Sequence, residues 1–442
     1  MTIVAGPWNL RAETCTDQDG IELRVPGLIP GDVAQIHVTG RSQGGPVAWG
    51  EIESIERSSR RRSPPCAIHG ECGGCGLQYV REEARLKHLV AGHTPRLPAA
   101  LLEVLAPEED WIRSPGFGWR HKAVFLPGWK GGNVTLGAYA RGSHDIVDQP
   151  KCNVLAPYLR EARKALLPMI EERANAGMAL APPGSKGKRG LRALVLRANR
   201  SGQVLGTAIV RSEEDASRLG PYMRNAVTDG LLAGAFVQVT ASGSDAVHGR
   251  EPAQHVGGLR FLLEDIAGVT LPVLPLAFFQ VNPGVLEQIV QLSRAQLGEA
   301  PGILLDAYCG VGALGIALAA GSEAPPLLVG CDVVKSAVDA AAKAAEHHGL
   351  SARYVLGTPT DMGPLSPDVA LVDPPRKGCS AAELTSILDA EPGRIIYLSC
   401  HVGSLARDAE RILAAGYKPV GLWPADMLPQ TAHLELVAVF ER

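Results

Sequence analysis

From about residue 276 to the C-terminus at 442, short apolar runs alternate with helix-forming stretches. ILLDAY, LLVGCDV, VALVDPP and RIIYLSC have β-forming character, and between them lie segments such as KSAVDAAAKAAEHHG with apolar residues at helical spacing. When a helix must follow each strand, successive strands pair in parallel and the helices cover the sheet. The alternation therefore restricts residues 276–442 to an open, Rossmann-like α/β sheet. Within it, ILLDAYCGVGALGIALAA is apolar enough to suggest a membrane helix, but Asp306 and three glycines inside that window argue for strand, loop and helix instead.

A chain of 442 residues has room for two or three domains. Residues 1–60 read as a small β module, because Ile21 to Val25 and Val33 to Val38 alternate apolar and polar residues about a Pro/Gly turn. Residues 61–275 read as mixed α+β. LRALVLRANRSGQVLGTAIV forms two strands about a turn at Ser201 and Gly202, and YLREARKALLPMIEERANAG forms an amphipathic helix closed by Gly177. A net charge of −3 offers no global attraction to nucleic acid, so any such attraction must be local, as in RSSRRRS from Arg57 to Ser63. The first ten residues, MTIVAGPWNL, lack a charged start and a long apolar stretch, and the nine cysteines are clustered and odd in number. Both features point to a cytoplasmic protein without a disulfide framework.

Three of those cysteines, Cys66, Cys72 and Cys75, fall in CAIHGECGGCGLQ. Close spacing on a glycine-rich loop lets several thiolates converge on one inorganic centre. The fourth ligand is either His69, which suits zinc, or Cys152 in QPKCNVLAP, which suits a four-cysteine site. The spacing differs from that of radical S-adenosylmethionine chemistry, so the expected role is structural.

In CGVGALG, Gly310, Gly312 and Gly315 have the GxGxxG arrangement between a strand and a helix, and Asp332 ends the next strand, where a carboxylate can accept both ribose hydroxyls. That much suits a nicotinamide dinucleotide equally well. Asp306, before the loop, favours a cationic amino-acid group over a pyrophosphate. Asp373, in VDPPRKG, lies at the strand edge where open α/β sheets bind ligands. Together these acids favour S-adenosylmethionine.

Cys400 ends RIIYLS on the same edge, ahead of a helix with Ser404 as its expected N-cap. A helix N-terminus lowers a thiol pKa to about 3.5–7.5, which would make Cys400 a nucleophile. In ADMLPQTAHLELVAVF, His433 and Glu435 share one strand face and either could move a proton. The plainer alternatives are a buried structural cysteine and a solvent-facing edge strand.

In this order, FFQVNP, LLDAYCGVG, VDPPRKG, IIYLSCHVGSLARD and DMLPQTAHLE resemble the RNA uracil-5-methyltransferase family, which makes 5-methyluridine. Residues 1–60 resemble a TRAM domain, the OB-like barrel appended to RNA-modifying enzymes. The resemblance implies three parts: this barrel, a mixed α+β central domain at 61–275 carrying the cysteine cluster and an RNA-binding surface, and a methyltransferase domain at 276–442. It implies a four-iron, four-sulfur (4Fe-4S) cluster on Cys66, Cys72, Cys75 and Cys152, and S-adenosylmethionine contacts at Gln280, Tyr308, Asp332 and Asp373 beside Gly310 and Gly312. It also implies that the Cys400 thiolate adds to uracil C6 and that Glu435 removes the C5 proton. The implied partner is RNA, ribosomal RNA ahead of transfer RNA, with no membrane partner. Candidate backbone contacts are Arg57 to Arg62, Arg120 and Lys122, Lys186 to Arg189, and Arg376 with Lys377. The chain departs from the family pattern at Ala313, where asparagine is common, at His401 and Val402, where asparagine and proline are usual, and at Asp332 in place of glutamate. The competing readings are methylation of uridine 54 in transfer RNA, methylation of an amine or oxygen instead of carbon, of which an amine methylator would not need Cys400, a non-catalytic RNA-binding protein that keeps the fold, and, more distantly, an NAD-dependent dehydrogenase.

Overall fold

The computed structural model describes every residue except 1, 7, 9–13, 17–21, 44–46, 59, 186, 188, 241–246, 250, 299 and 300. At the N-terminus, β1 (Thr2–Val4), β2 (Thr14–Thr16), β3 (Glu22–Arg24), β4 (Val33–Arg41) and β5 (Val47–Arg57) form one sheet in the order β1-β4-β5-β3-β2. Alternation along β4 and β5 turns Ala34, Ile36 and Ala48 inward, as the sequence pattern requires. Gly27 and Gly31 supply the positive φ angles of the Pro/Gly turn.

The chain then passes through the cysteine loop into α1 (Glu82–His93) and α2 (Ala99–Glu103). Leu77, Leu86, Leu89 and Leu101 share one apolar cluster with Ile3, Leu28 and Ile36 of the first sheet and with Leu422, Leu436 and Phe440 near the C-terminus. Backbone bridges join Leu105 to Leu422 and Ile112 to Ala425. Residues 77–112 of the 61–275 span therefore pack on the C-terminal sheet.

The remainder of that span holds β6 (Lys122–Lys130), β7 (Asn133–Tyr139), β8 (Ile146–Asp148), α3 (Pro157–Asn175), β9 (Leu191–Ala198), β10 (Val204–Val210), α4 (Glu213–Thr228), β11 (Gly234–Val239) and β12 (Gln254–Gly258). Its sheet runs β12-β11-β10-β9-β6-β7-β8, with α3 and α4 packed around Phe125, Leu166, Leu196 and Met223. The hairpin of β13 (Leu262–Ile266) and β14 (Val269–Val273) follows.

The last part comprises α5 (Pro283–Ala295), β15 (Ile303–Ala307), α6 (Ala313–Ala320), β16 (Leu327–Asp332), α7 (Lys335–His347), β17 (Ala352–Leu356), β18 (Val369–Val372), α8 (Ala381–Asp389), β19 (Arg394–Ser399), α9 (Val402–Ala414), β20 (Lys418–Ala425) and β21 (Glu435–Glu441). The sheet order is β17-β16-β15-β18-β19-β21-β20. The first five strands are parallel, and β21 inserts antiparallel between β19 and β20. Strand order reverses between β15 and β18, which opens a crevice at their C-terminal ends. The apolar window at 303–320 is β15, a loop and α6, and no helix among the described residues is long and apolar enough to cross a membrane.

Candidate active site

The glycine loop turns tightly because Gly310 and Gly312 have φ of 55° and 75°, and Gly312 is the N-cap of α6. Asp332 stabilises this turn: Oδ2 accepts from Gly310 N at 3.0 Å and Oδ1 from Val334 N at 2.8 Å. Gly315 is required by contact, since a Cβ there would lie 2.4 Å from Asp306 Oδ2. The Asp306 carboxylate accepts from Gly315 N at 3.1 Å and is buried, so it faces the first turn of α6 instead of offering itself to a cationic ligand. Burial pushes its pKa up to about 7, opposed by the Gly315 bond and reinforced by Asp373 and Asp332.

The six residues expected to contact the cofactor converge on this edge. Tyr308, Gly310 and Gly312 follow β15, Asp332 ends β16, Asp373 follows β18, and Gln280 precedes α5. Tyr308 has a left-handed backbone, φ 63°, and its hydroxyl faces Cys379 and Glu383. Gln280 hydrogen-bonds Asp373, whose pKa burial nonetheless raises to about 7. Asn282, in the same FFQVNP stretch, caps α5 and donates to Met427 O at 3.2 Å, joining this loop to the one before Glu435.

Cys400 follows β19, and Glu435 opens β21. The cap of α9 is His401 and not Ser404: His401 Nδ1 accepts from Ser404 N at 3.2 Å. Nor is the thiol acidic. Burial pushes Cys400 up to about 11, Glu435 and Asp373 push it the same way, and Arg376 opposes them. Two carboxyl groups and loss of water outweigh the end of a helix whose first turn is already capped. Burial likewise raises Glu435 to about 8, with Asp373 adding and Arg376 opposing. As the alternation predicts, Leu434 and Leu436 are buried, whereas His433 is exposed and Glu435 half-buried.

The PPRKG loop is clamped to α9. Ser404 Oγ donates to Arg376 O at 2.5 Å, Arg407 Nη2 donates to Lys377 O at 2.9 Å, and Asp408 accepts from Cys379 N and from the Tyr397 hydroxyl at 2.9 and 2.7 Å. Arg376 Nη2 in turn donates to His433 Nδ1 at 2.6 Å, and partial loss of water around the ring, with Arg376 and His401 nearby, lowers the His433 pKa although the residue keeps an exposed face. His93 at the end of α1 approaches the same cluster, and burial lowers it to about 4. Nothing in the local sequence marks His93 or Asp408, although Asp408 lies within the quoted SLARD run.

Cys66, Cys72, Cys75 and Cys152 line one cavity of about 210 Å³ together with His69, Gln149 and Thr431. Gly74 N and Gln149 Nε2 donate to Cys72 Sγ at 3.4 and 3.1 Å. Burial raises Cys75 to about 11; Gln78 opposes this, and Cys152, Cys72 and Cys66 add to it, as expected for sulfurs facing one another. Among the described residues, no three His, Cys, Asp or Glu side chains are drawn around a single point as one metal ion would require. The His69 ring packs edge-on against Tyr79, 5.9 Å between centroids.

The expected RNA-facing cations separate by environment. Arg376 and Lys377 are exposed beside Cys400, and Arg57 and Arg60 are exposed on the N-terminal side. Arg61 is held by Asp32 (2.6 Å), and Arg62 by Gln78 O (2.9 Å), so both serve internal contacts. Arg120 donates to Lys122 O at 2.9 Å, and burial pulls Lys122 down to about 7. Arg189 pairs with Glu214 at 2.9 Å, while Ser59, Lys186 and Lys188 lie outside the described residues.

No family model matches the chain. A protein of Thermosynechococcus vestitus named an uncharacterized RNA methyltransferase is 32% identical over 442 residues, covering 94% of this chain and 92% of that protein. One of Gloeobacter violaceus with the same description is 32% identical, covering 96% and 92%. Among solved structures, the Pyrococcus abyssi tRNA (uracil-54, C5)-methyltransferase in complex with S-adenosyl-L-homocysteine superposes with a TM-score of 0.76 at 24% identity. That likeness of fold covers 100% of this chain and 99% of the other.

Proposed function

The chain belongs to the RNA methyltransferases, and from that premise we propose that it methylates C5 of a uridine in RNA through a transient bond between Cys400 and uracil C6. The observation that carries this reading is the meeting of Cys400, Glu435, Asp373 and Arg376 at one sheet edge. A base-amine methylator needs no thiol beside a carboxyl group.

Uracil C5 is a poor nucleophile until C6 is attacked. In the proposed sequence the Cys400 thiol gives up its proton to water, Sγ adds to C6, the ring electrons move to C5 and O4, and C5 takes the methyl group. S-adenosylmethionine, held at Gln280, Tyr308, Gly310, Gly312, Asp332 and Asp373, would supply that electrophilic methyl and a positive charge beside the acids. Glu435 then takes the C5 proton, the C5–C6 double bond re-forms, and the thiolate leaves. Arg376 favours the thiolate, and its exposed position with Lys377 suits an RNA phosphate.

Cys66, Cys72, Cys75 and Cys152 would hold a 4Fe-4S cluster. Their shared cavity and the N–H groups directed at Cys72 suit such a group. In this reading residues 1–60 are a TRAM-like barrel, 61–275 the central domain and 276–442 the methyltransferase domain, acting in the cytoplasm on ribosomal RNA in preference to transfer RNA. Mapping 5-methyluridine in total RNA with and without the chain tests the target.

The mechanism is tested with RNA containing 5-fluorouridine and S-adenosylmethionine. The parent protein should form a stable covalent adduct, because fluorine at C5 cannot leave as a proton. Cys400→Ala should form none and lose at least about a thousandfold in turnover, while binding S-adenosylhomocysteine as the parent does. Undiminished turnover by Cys400→Ala would return the reaction to amine methylation.

A further inference from the structure

Gln430 is fully buried, and its backbone is left-handed, φ 67°. That conformation is uncommon for a residue with a Cβ and persists only where neighbours impose it. The neighbours here come from the segment that carries the cysteine loop. Leu77 N donates to Gln430 O at 3.0 Å, and Arg62 Nη2 donates to Gln430 Oε1 at 3.3 Å. Arg62 is itself fixed: its Nε donates to Gln78 O at 2.9 Å, its guanidinium lies 5.5 Å from the Phe117 ring centre, and Glu82 is 3.9 Å away. Gly116 leaves the room for this arrangement, since a Cβ there would lie 2.3 Å from Glu82 Oε1 and 2.5 Å from Gln430 Nε2.

Only Thr431, Ala432, His433 and Leu434 separate Gln430 from Glu435. That stretch is closed on itself, with Thr431 Oγ1 donating to Leu428 O at 2.6 Å and His433 N donating to Thr431 Oγ1 at 3.3 Å. A displacement at Gln430 therefore has little slack to absorb it before the first residue of β21. We propose that Gln430 is a positioning residue for Glu435, pinning the loop before the base to the Arg62–Gln78 segment. The competing account is that pairing of Glu435 with Ala425 of β20 places the base unaided.

The proposal rests on the reading of Glu435 as the base for C5 and separates one chemical step from the others. Attack by Cys400 and methylation of C5 need no proton taken from C5, so adduct formation on 5-fluorouridine RNA bypasses the base; turnover on uridine RNA does not. Gln430→Ala and Gln430→Gly should slow uridine turnover about tenfold or more and accumulate a methylated RNA–protein adduct on ordinary RNA. Their trapping rate on 5-fluorouridine RNA should stay within about twofold of the parent's. Gln430→Gly removes the side chain while easing the left-handed backbone. Gln430→Glu, which can still accept from Arg62, should restore most of the turnover. Arg62→Gln should repeat the alanine pattern without altering the loop itself, whatever the folding yield of the Gln430 variants. Equal losses on both RNAs, or unchanged uridine turnover, would overturn the role of Gln430. Failure of the parent protein to trap 5-fluorouridine RNA would instead overturn the reading on which it rests.

Discussion

Cys400 immediately follows β19 and Glu435 opens the neighbouring antiparallel β21: Ser399 pairs with Leu436, so one further step along each chain brings Cys400 to the side of Glu435. Burial raises both groups, and Glu435 adds to the burden on Cys400 while Asp373 adds to that on Glu435. A thiolate beside a carboxylate is disfavoured, as is a carboxylate out of water, and the pKa values of both are raised.

The first expectation concerns thiol reactivity. Glu435→Gln removes a negative charge beside Cys400 and should move the midpoint of its alkylation below about 11, whereas Arg376→Ala removes the opposing positive charge and should move it upward. Iodoacetamide rates across pH, with Cys400→Ala as background, measure both. An unmoved midpoint in Glu435→Gln would mean that the two groups do not face each other in solution.

Stability should carry the same signature. Glu435 titrates near 8 in the folded protein against an ordinary 4.5, so between those values the native state holds a proton that the unfolded chain has released. Stability contributed at this site is therefore lost as pH rises through that window. Glu435→Gln should melt above the parent at pH about 8.5 and level with it at pH about 4. Calorimetry at the two pH values decides, and an equal offset at both would sink the assignment.

Arg85 and Asp426 form a buried pair, 1% and 3% exposed, with Nη1 donating to Oδ1 at 2.9 Å and Nη2 to Oδ2. Removing the arginine strands a carboxylate where α1 meets the loop between β20 and β21. Arg85→Ala should cost about 3–5 kcal/mol in urea unfolding, and the double variant Arg85→Met, Asp426→Leu should recover most of it. A loss below about 1 kcal/mol for Arg85→Ala would indicate that water reaches the pair.

Anaerobic reconstitution tests the cysteine cavity. The parent chain should take up about four irons and show the broad visible absorbance of a cluster, Cys152→Ser should lose most of both, and His69→Ala should keep them. Metal retained by Cys152→Ser and lost from His69→Ala would assign the fourth ligand to the imidazole.

Local pattern determined a good deal of this protein. The alternation of apolar runs and helical stretches fixes β15 to α9 because parallel strands need covering helices, and it delivers Tyr308, Asp332, Asp373 and Cys400 to the same ends of that sheet. The period-two pattern around Glu435 separates Leu434 and Leu436 from the carboxyl group, since successive side chains on a strand point oppositely. Tertiary structure alone decided the chemistry of those groups. A thiol that looked acidic from its place before a helix is pushed the other way by burial and by carboxyl groups from β18 and β21. Asp306 turned to Gly315, and Arg61 and Arg62 became internal pins. The link from Arg62 to Gln430 spans 368 positions. Charge, solvent access and long-range partnership depend on which distant segments meet, and no local window of residues carries that information.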